Sequence, residues 1–138
     1  MTIGLPHPNI LPYIPRNLLC ATHATVCNLR GRQWGSQRPS LLFVSRHSFQ
    51  HLVAYHRHVL HELRSRGFKP SPKWSDPLYR GRKVDPWPQE DQIPQRPDLS
   101  YPHHTAADYR ASLALLRKRT IRDDQDRLRL TLAPESIG

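Results

Sequence analysis

The residues able to do chemistry are unevenly distributed along this chain. No Asp or Glu precedes Glu62, and the next acid is Asp76. Carboxylate acid–base chemistry therefore has no residue to use in the first sixty-one positions. There are nine histidines. His47 and His51 are spaced i,i+4 and His58 and His61 i,i+3, so each pair can share a helix face, as metal ligands do. No Cys or Asp stands at matching spacing, and His61-Glu62 lacks the second His of a zinc-protease motif. The histidines are accordingly read as facing solvent or phosphate, and neither a metal nor any other cofactor is expected. Cys20 and Cys27, on a helix, share a face about 10 Å apart along the axis, too far for a disulfide. They read as buried, reduced thiols of a reducing compartment. A Ser-His-Asp signature is lacking, and Arg30-Gly31-Arg32 is too short for a phosphate loop. One further group stands at the start. Thr2 follows Met1, and a small second residue normally allows removal of the initiator. The α-amine so exposed has a pKa of about 8 and is partly unprotonated at neutral pH. Such an amine can attack an aldehydic carbon and form a Schiff base.

Charge points to the partner. Up to Lys83 there are thirteen Lys/Arg against two acids, a net of +11; beyond it eight basic residues meet nine acids, a net of −1. A one-sided field of this kind repels itself in a compact domain unless a polyanion, most often nucleic acid, neutralises it. Arg16, Arg30, Arg32, Arg38, Arg46 and the Arg64/Arg66/Lys69 cluster are interleaved with Trp34, a mixture suited to phosphate contacts plus one stacking or wedging aromatic. An acidic protein partner is the alternative.

The elements that must position these groups are helical. Prolines at 6, 8, 12 and 15 keep the first fifteen residues out of regular helix or central strand, so they should run extended or into a groove. Leu18, Leu19, Thr22, Val26 and Leu29 recur at helical spacing between Pro15 and Gly31, which predicts a first helix over 15–30. The apolar run Leu41 to Val44 reads as core. Ser48 caps a second helix striped by Phe49, Leu52, Val53, His56, Val59, Leu60 and Leu63 and closed by Gly67. Eight prolines between Lys69 and Pro102 predict a long wrapping loop anchored by Trp74, Tyr79 and Trp87. Thr105 opens a third helix with Asp108 at capping-box spacing. That helix carries Ala106, Tyr109, Leu113 and Leu116 inward. The charged tail from 122 to 138, alternating Leu128, Leu130 and Leu132, reads as a frayed terminus or a short strand. The expectation is thus a mainly α domain over 1–121, with three helices, an extended N-terminal segment and a Pro-rich loop between helices two and three. No membrane span and no signal peptide is evident, so a soluble, cytoplasmic monomer is expected.

A series of motifs then resembles a known family. Leu11-Pro12-x-x-Pro15-Arg16-Asn17-x-Leu19, Leu29-Arg30-Gly31 and Trp34-Gly35 come first. His47-Ser48, Tyr55-His56, Glu62, Arg66-Gly67-Phe68-Lys69-Pro70, Trp74-x-Asp76-x-x-Tyr79-Arg80-Gly81 and Tyr101-Pro102-x-His104 follow in order. Together they resemble the bacterial branch of the pyrimidine dimer DNA glycosylase family over about residues 3–121. The resemblance implies a small three-helix fold with the N-terminal segment threaded between the helices. It implies excision of a damaged base from duplex DNA and strand nicking: the N-terminal amine attacks the sugar C1′, and a Schiff base drives β-elimination. It implies, too, a carboxylate in the first helix as the central acid–base group, preceded by an Arg that holds DNA. This chain has Ala24 at that Arg position and Thr25 at that Glu position. Thr2 matches the phage-type members. On the resemblance, Arg16, Arg30, Arg32 and Arg117 contact phosphates and Asn17 is a polar DNA contact, with Trp34 beside them. The reading is a duplex-DNA-binding protein resembling a glycosylase/AP lyase; its alternative is a catalytically degenerate DNA binder on the same fold.

Overall fold

The computed structural model describes residues 5–88 and 100–136. Among these residues five α-helices follow one another: α1 (Arg16–Arg30), α2 (Leu42–Ser45), α3 (Phe49–Ser65), α4 (Ala106–Arg117) and α5 (Asp124–Thr131). Short 3-10 helices span Pro8–Tyr13, Pro39–Leu41 and Pro72–Ser75, and the described residues contain no strand. The helices expected from apolar spacing form within a residue or two of their predicted ends. Thr105 caps α4 by accepting from the Asp108 amide at 3.1 Å. Gly67, at φ +90°, supplies the left-handed residue that ends α3. No helix among the described residues is long and apolar enough to cross a membrane.

α1 and α3 pack against each other, burying Leu19, Val26 and Leu29 on one side and Leu52, Val59 and Leu63 on the other. The N-terminal segment contributes Leu5, Ile10, Leu11 and Ile14 to the same core and packs against α3, α4 and α5. Part of the segment expected to be extended is a 3-10 helix. Pro8 sits in its first turn, where a missing N–H costs nothing.

The carbonyls of this segment need donors once buried, and the helices supply them. His104 Nε2 donates to Leu5 O at 3.0 Å, Tyr55 Oη to Pro6 O at 2.6 Å and Arg66 to Leu11 O at 3.0 Å. Glu62 holds that arginine at 2.8 Å, so its role is structural.

The C-terminal tail differs from expectation. It is neither frayed nor a strand, because the stripe that matters is Asp126, Leu130 and Ala133 at helical spacing, all buried. Leu128 and Leu132, which make the sequence look alternating, are 60% and 66% exposed. Asp123 caps α5 by accepting from the Asp126 amide. The Asp126 carboxylate in turn accepts from the Arg16 amide at 3.1 Å, capping α1, which has no side-chain cap of its own.

Candidate nucleic-acid interface

The C-terminal end of α1 faces the loop that carries residues 71–84. Arg30 joins the two. Its side chain is fully buried, and its guanidinium donates to the carbonyls of Trp74 (3.0 Å), Asp76 (2.7 Å) and Tyr79 (2.8 Å) and to His56 Nδ1 (3.0 Å). Arg80 returns the clasp by donating to Arg30 O and Gly31 O. Only glycine fits at position 31, since a Cβ there would lie 2.8 Å from the Arg80 carbonyl oxygen. The Arg30 guanidinium also lies 5.1 Å from the Trp74 ring centre, a cation–π contact. Burial pulls Arg30 down to about 10, which leaves it charged at neutral pH.

Between these elements runs an open groove of about 610 Å³, lined by Arg32, Lys73, Arg80, Arg82 and Lys83, with Trp74 and Tyr79 on its wall and no acid among the described residues that line it. The side chains of Arg32, Lys73, Arg82 and Lys83 have no partner among the described residues. Arg80 lies 4.3 Å over the Trp87 ring. Among the described residues, four unpaired cations stand beside two aromatic rings with no carboxylate in the lining, an arrangement that suits a phosphate backbone with accessible bases.

Beside the groove, whose lining includes Cys27, His23, Cys27 and His56 offer ligand atoms all within 4.8 Å of one another. His23 Nδ1 is 3.1 Å from His56 Nε2, and Cys27 Sγ is 3.6 Å from His23 Nε2. The spacing His23–Cys27 is visible in the sequence as i,i+4; its partnership with His56 is not. Arg30 decides the chemistry here. A guanidinium only donates, so His56 Nδ1 must accept and His56 Nε2 must carry the proton, which it gives to His23 Nδ1. A metal ligated by His56 Nε2 would need the opposite tautomer and would set two N–H groups against each other. The donor set fits a neutral hydrogen-bond relay from Arg30 through His56 and His23 to Cys27. Burial, then the Arg30 charge, pushes His56 well below its ordinary value; burial lowers His23 and raises the Cys27 thiol to about 11. That thiol stays protonated and weakly nucleophilic. Cys20, expected to be buried, is exposed.

The structure separates the residues expected to act together. Arg32 lines the groove. Arg30, expected on phosphate, is buried and donates to three loop carbonyls and to His56 Nδ1, because a buried cation needs several acceptors and the loop supplies most of them. Trp34, expected to stack or wedge, is half-buried and sets its ring edge-on to Phe49 at 5.2 Å. Arg16 and Asn17 are exposed at the other end of α1, about 22 Å away for a fifteen-residue helix. The Asn17 side chain accepts from the Leu18 amide. Arg117 is exposed and paired with Glu135 at 2.8 Å. Thr25 is half-buried on α1, about 200° around the axis from His23. Thr2 lies outside the described residues. Sequence reasoning does not single out the groove residues Lys73, Arg82 and Lys83; their signal is the run Arg80-Gly81-Arg82-Lys83 at the end of the acid-poor stretch.

The buried histidines make one consequence measurable. Burial lowers His7, His23 and His56, and takes His104 to about 4, against about 6.5 in the unfolded chain. Below that value the unfolded state binds more protons, so the stability these groups contribute is fully present above pH ~6.5 and is lost as pH falls towards ~4. Urea unfolding at pH 7 and pH 5 should show a loss of roughly 2 kcal/mol from His104 alone at the lower pH, with the other three rings adding to it. Equal midpoints would mean that these rings are charged in the fold.

A model of the pyrimidine dimer DNA glycosylase family matches residues 1–76, more than half of the chain. No curated protein and no solved structure matches it.

Proposed function

The chain belongs to the pyrimidine dimer DNA glycosylase family, and on that premise we propose that it is a DNA-repair protein that binds damaged duplex DNA through the basic groove beside α1. The observation that carries this reading is the set of four unpaired cations, Arg32, Lys73, Arg82 and Lys83, held around one groove. Duplex DNA presents a phosphate every few ångströms, and each one neutralised releases condensed counterions.

The chemistry proposed is that of the Thr2 α-amine on an abasic site. The unprotonated amine adds to the open-chain C1′ aldehyde, water leaves, and the protonated imine draws electrons so that the adjacent C2′ proton is lost and the 3′ phosphate departs. The base has already gone from such a site, so this lyase step has no base to expel. Release of an intact damaged base does require proton handling, and α1 offers Thr25 where the family has its Glu. That substitution favours a second reading, a catalytically degenerate, non-enzymatic DNA binder on the same fold, which would form no covalent adduct.

Borohydride trapping separates the two. On abasic-site duplex the wild type should form a covalent adduct that disappears when the α-amine is blocked. An adduct that survives blocking, or none at all, would exclude the amine as the nucleophile. On duplex containing a pyrimidine dimer, Thr25→Glu should raise base release by about 10², the usual contribution of one positioned acid–base group; an unchanged rate would show that Thr25 is not where the missing function lies.

A further inference from the structure

We infer that the groove beside α1 takes single-stranded DNA, one unpaired base stacking on Trp74 with its edge towards Asn28; the inference rests on the DNA-binding role proposed for the same groove and extends it. A volume of about 610 Å³ is that of a pocket for one small ligand. An unpaired nucleotide can enter it, whereas a duplex can only lie across its rim. Charge alone is enough to hold a phosphate backbone at such a rim. The groove adds an aromatic wall, Trp74 and Tyr79, and the neutral side chain of Asn28. In a duplex the base faces are stacked on one another, so a ring inside a groove finds a partner only where a base is unpaired.

The wall is braced before any ligand arrives. The Tyr79 ring meets Trp74 edge-on at 4.7 Å, and the Arg30 guanidinium and the His56 ring lie 5.1 Å and 5.4 Å from the indole. A ring already fixed in place loses little freedom on binding. Gly81, also in the lining, leaves the indole uncovered. A Cβ at that position would stand 3.6 Å from Trp74 Cη2, and the φ of +96° favours glycine. Asn28 is exposed on α1, and its carboxamide has no partner among the described residues. A carboxamide offers both donors and an acceptor, the complement that a base edge requires. Arg32 and Lys73, in the same lining, supply charge for the flanking phosphates. Cations that track a backbone beside a ring that stacks a base are the means by which proteins hold single strands.

The experiment uses two labelled single strands of about fifteen nucleotides, long enough for one site. One is oligothymidylate; the other is built wholly of tetrahydrofuran abasic analogues, which cannot form a Schiff base. The phosphates are equal and only the bases differ. Fluorescence anisotropy at one salt concentration gives the ratio of the two Kd values for the full chain as wild type, Trp74→Leu and Asn28→Ala. Wild type should bind the thymidylate strand about tenfold more tightly, the effect of one base on one ring. Trp74→Leu should bring the ratio to within about twofold of unity, and Asn28→Ala should lower it about threefold. A wild-type ratio near one, or a ratio that either variant leaves at its wild-type value, would overturn the inference. Should Trp74→Leu not fold, the wild-type ratio and Asn28→Ala, at an exposed side chain without a partner, carry the same test. A protein that binds both strands with steep salt dependence but a ratio of one loses this inference and keeps the DNA-binding reading. One that binds neither strand nor duplex loses that reading itself, so the two failures are told apart.

Discussion

Arg30→Met is expected to destabilise the protein by about 4 kcal/mol and, in whatever fraction stays folded, to loosen the groove loop. The substitution removes the donor from the carbonyls of Trp74, Asp76 and Tyr79 together. A buried acceptor left without a donor costs about 1–3 kcal/mol, so three of them take much of the roughly 5–15 kcal/mol that a domain of this size has in total. Arg30→Lys should recover little. One ammonium cannot span three carbonyls and His56, whereas the planar guanidinium fork does. Urea unfolding followed by circular dichroism measures the effect. The opposite pattern, a variant within ~1 kcal/mol of wild type but with weakened DNA binding, would return Arg30 to the phosphate-contacting role that the sequence suggests.

The second large effect is on binding. Replacing Arg32, Lys73, Arg82 and Lys83 together by glutamine removes the four unpaired cations of the groove. Each phosphate no longer neutralised should flatten the slope of log K against log salt by about 0.9, so the fourfold variant should shed about 3.6 units of slope and on the order of a thousandfold in affinity near 0.1 M salt. These side chains have no partner among the described residues, so stability should change by less than about 1 kcal/mol. An unaltered slope would place the DNA on another face, for example around the exposed Arg16 and Asn17 at the far end of α1.

The helices are legible in the sequence because each shows a continuous apolar period: Leu19, Val26 and Leu29 on α1, Leu52, Val59 and Leu63 on α3, Tyr109, Leu113 and Leu116 on α4. Their ends are legible because Thr105 and Gly67 carry local chemistry that a sequence displays. α5 is not, because two competing periods overlap there. Leu128, Leu130 and Leu132 alternate, and the helical stripe that wins begins with Asp126, whose burial depends on the distant amide of Arg16. The site is half-legible for a similar reason. Absence of acids marks the charged face of the chain directly, and Arg32 follows from it. Arg30 carries the same charge as Arg32 two residues earlier and has the opposite fate, settled by carbonyls 44 to 49 positions away. Composition cannot separate a cation that meets phosphate from one that clasps a loop. The relay of His56, His23 and Cys27 is hidden in the same way: His56 falls in the apolar stripe of α3, where it does lie, and its partners come from α1.

The charge asymmetry of the chain thus acquires a structural meaning. The acid-poor stretch up to Lys83 leaves four cations around the groove between α1 and the loop after Pro70 without a partner among the described residues. On the function proposed above, Thr25 stands where the resemblance puts the family's acid–base Glu, so binding and an amine-dependent step are expected in place of full excision. The most direct test is a fluorescence titration of wild-type protein with abasic-site duplex at several salt concentrations between about 50 and 200 mM. Engagement of at least four phosphates predicts a linear log–log plot with a slope of about −3.6 or steeper. A slope near zero, or equal binding to an acidic polypeptide of similar charge, would contradict the claim that this groove is built for DNA.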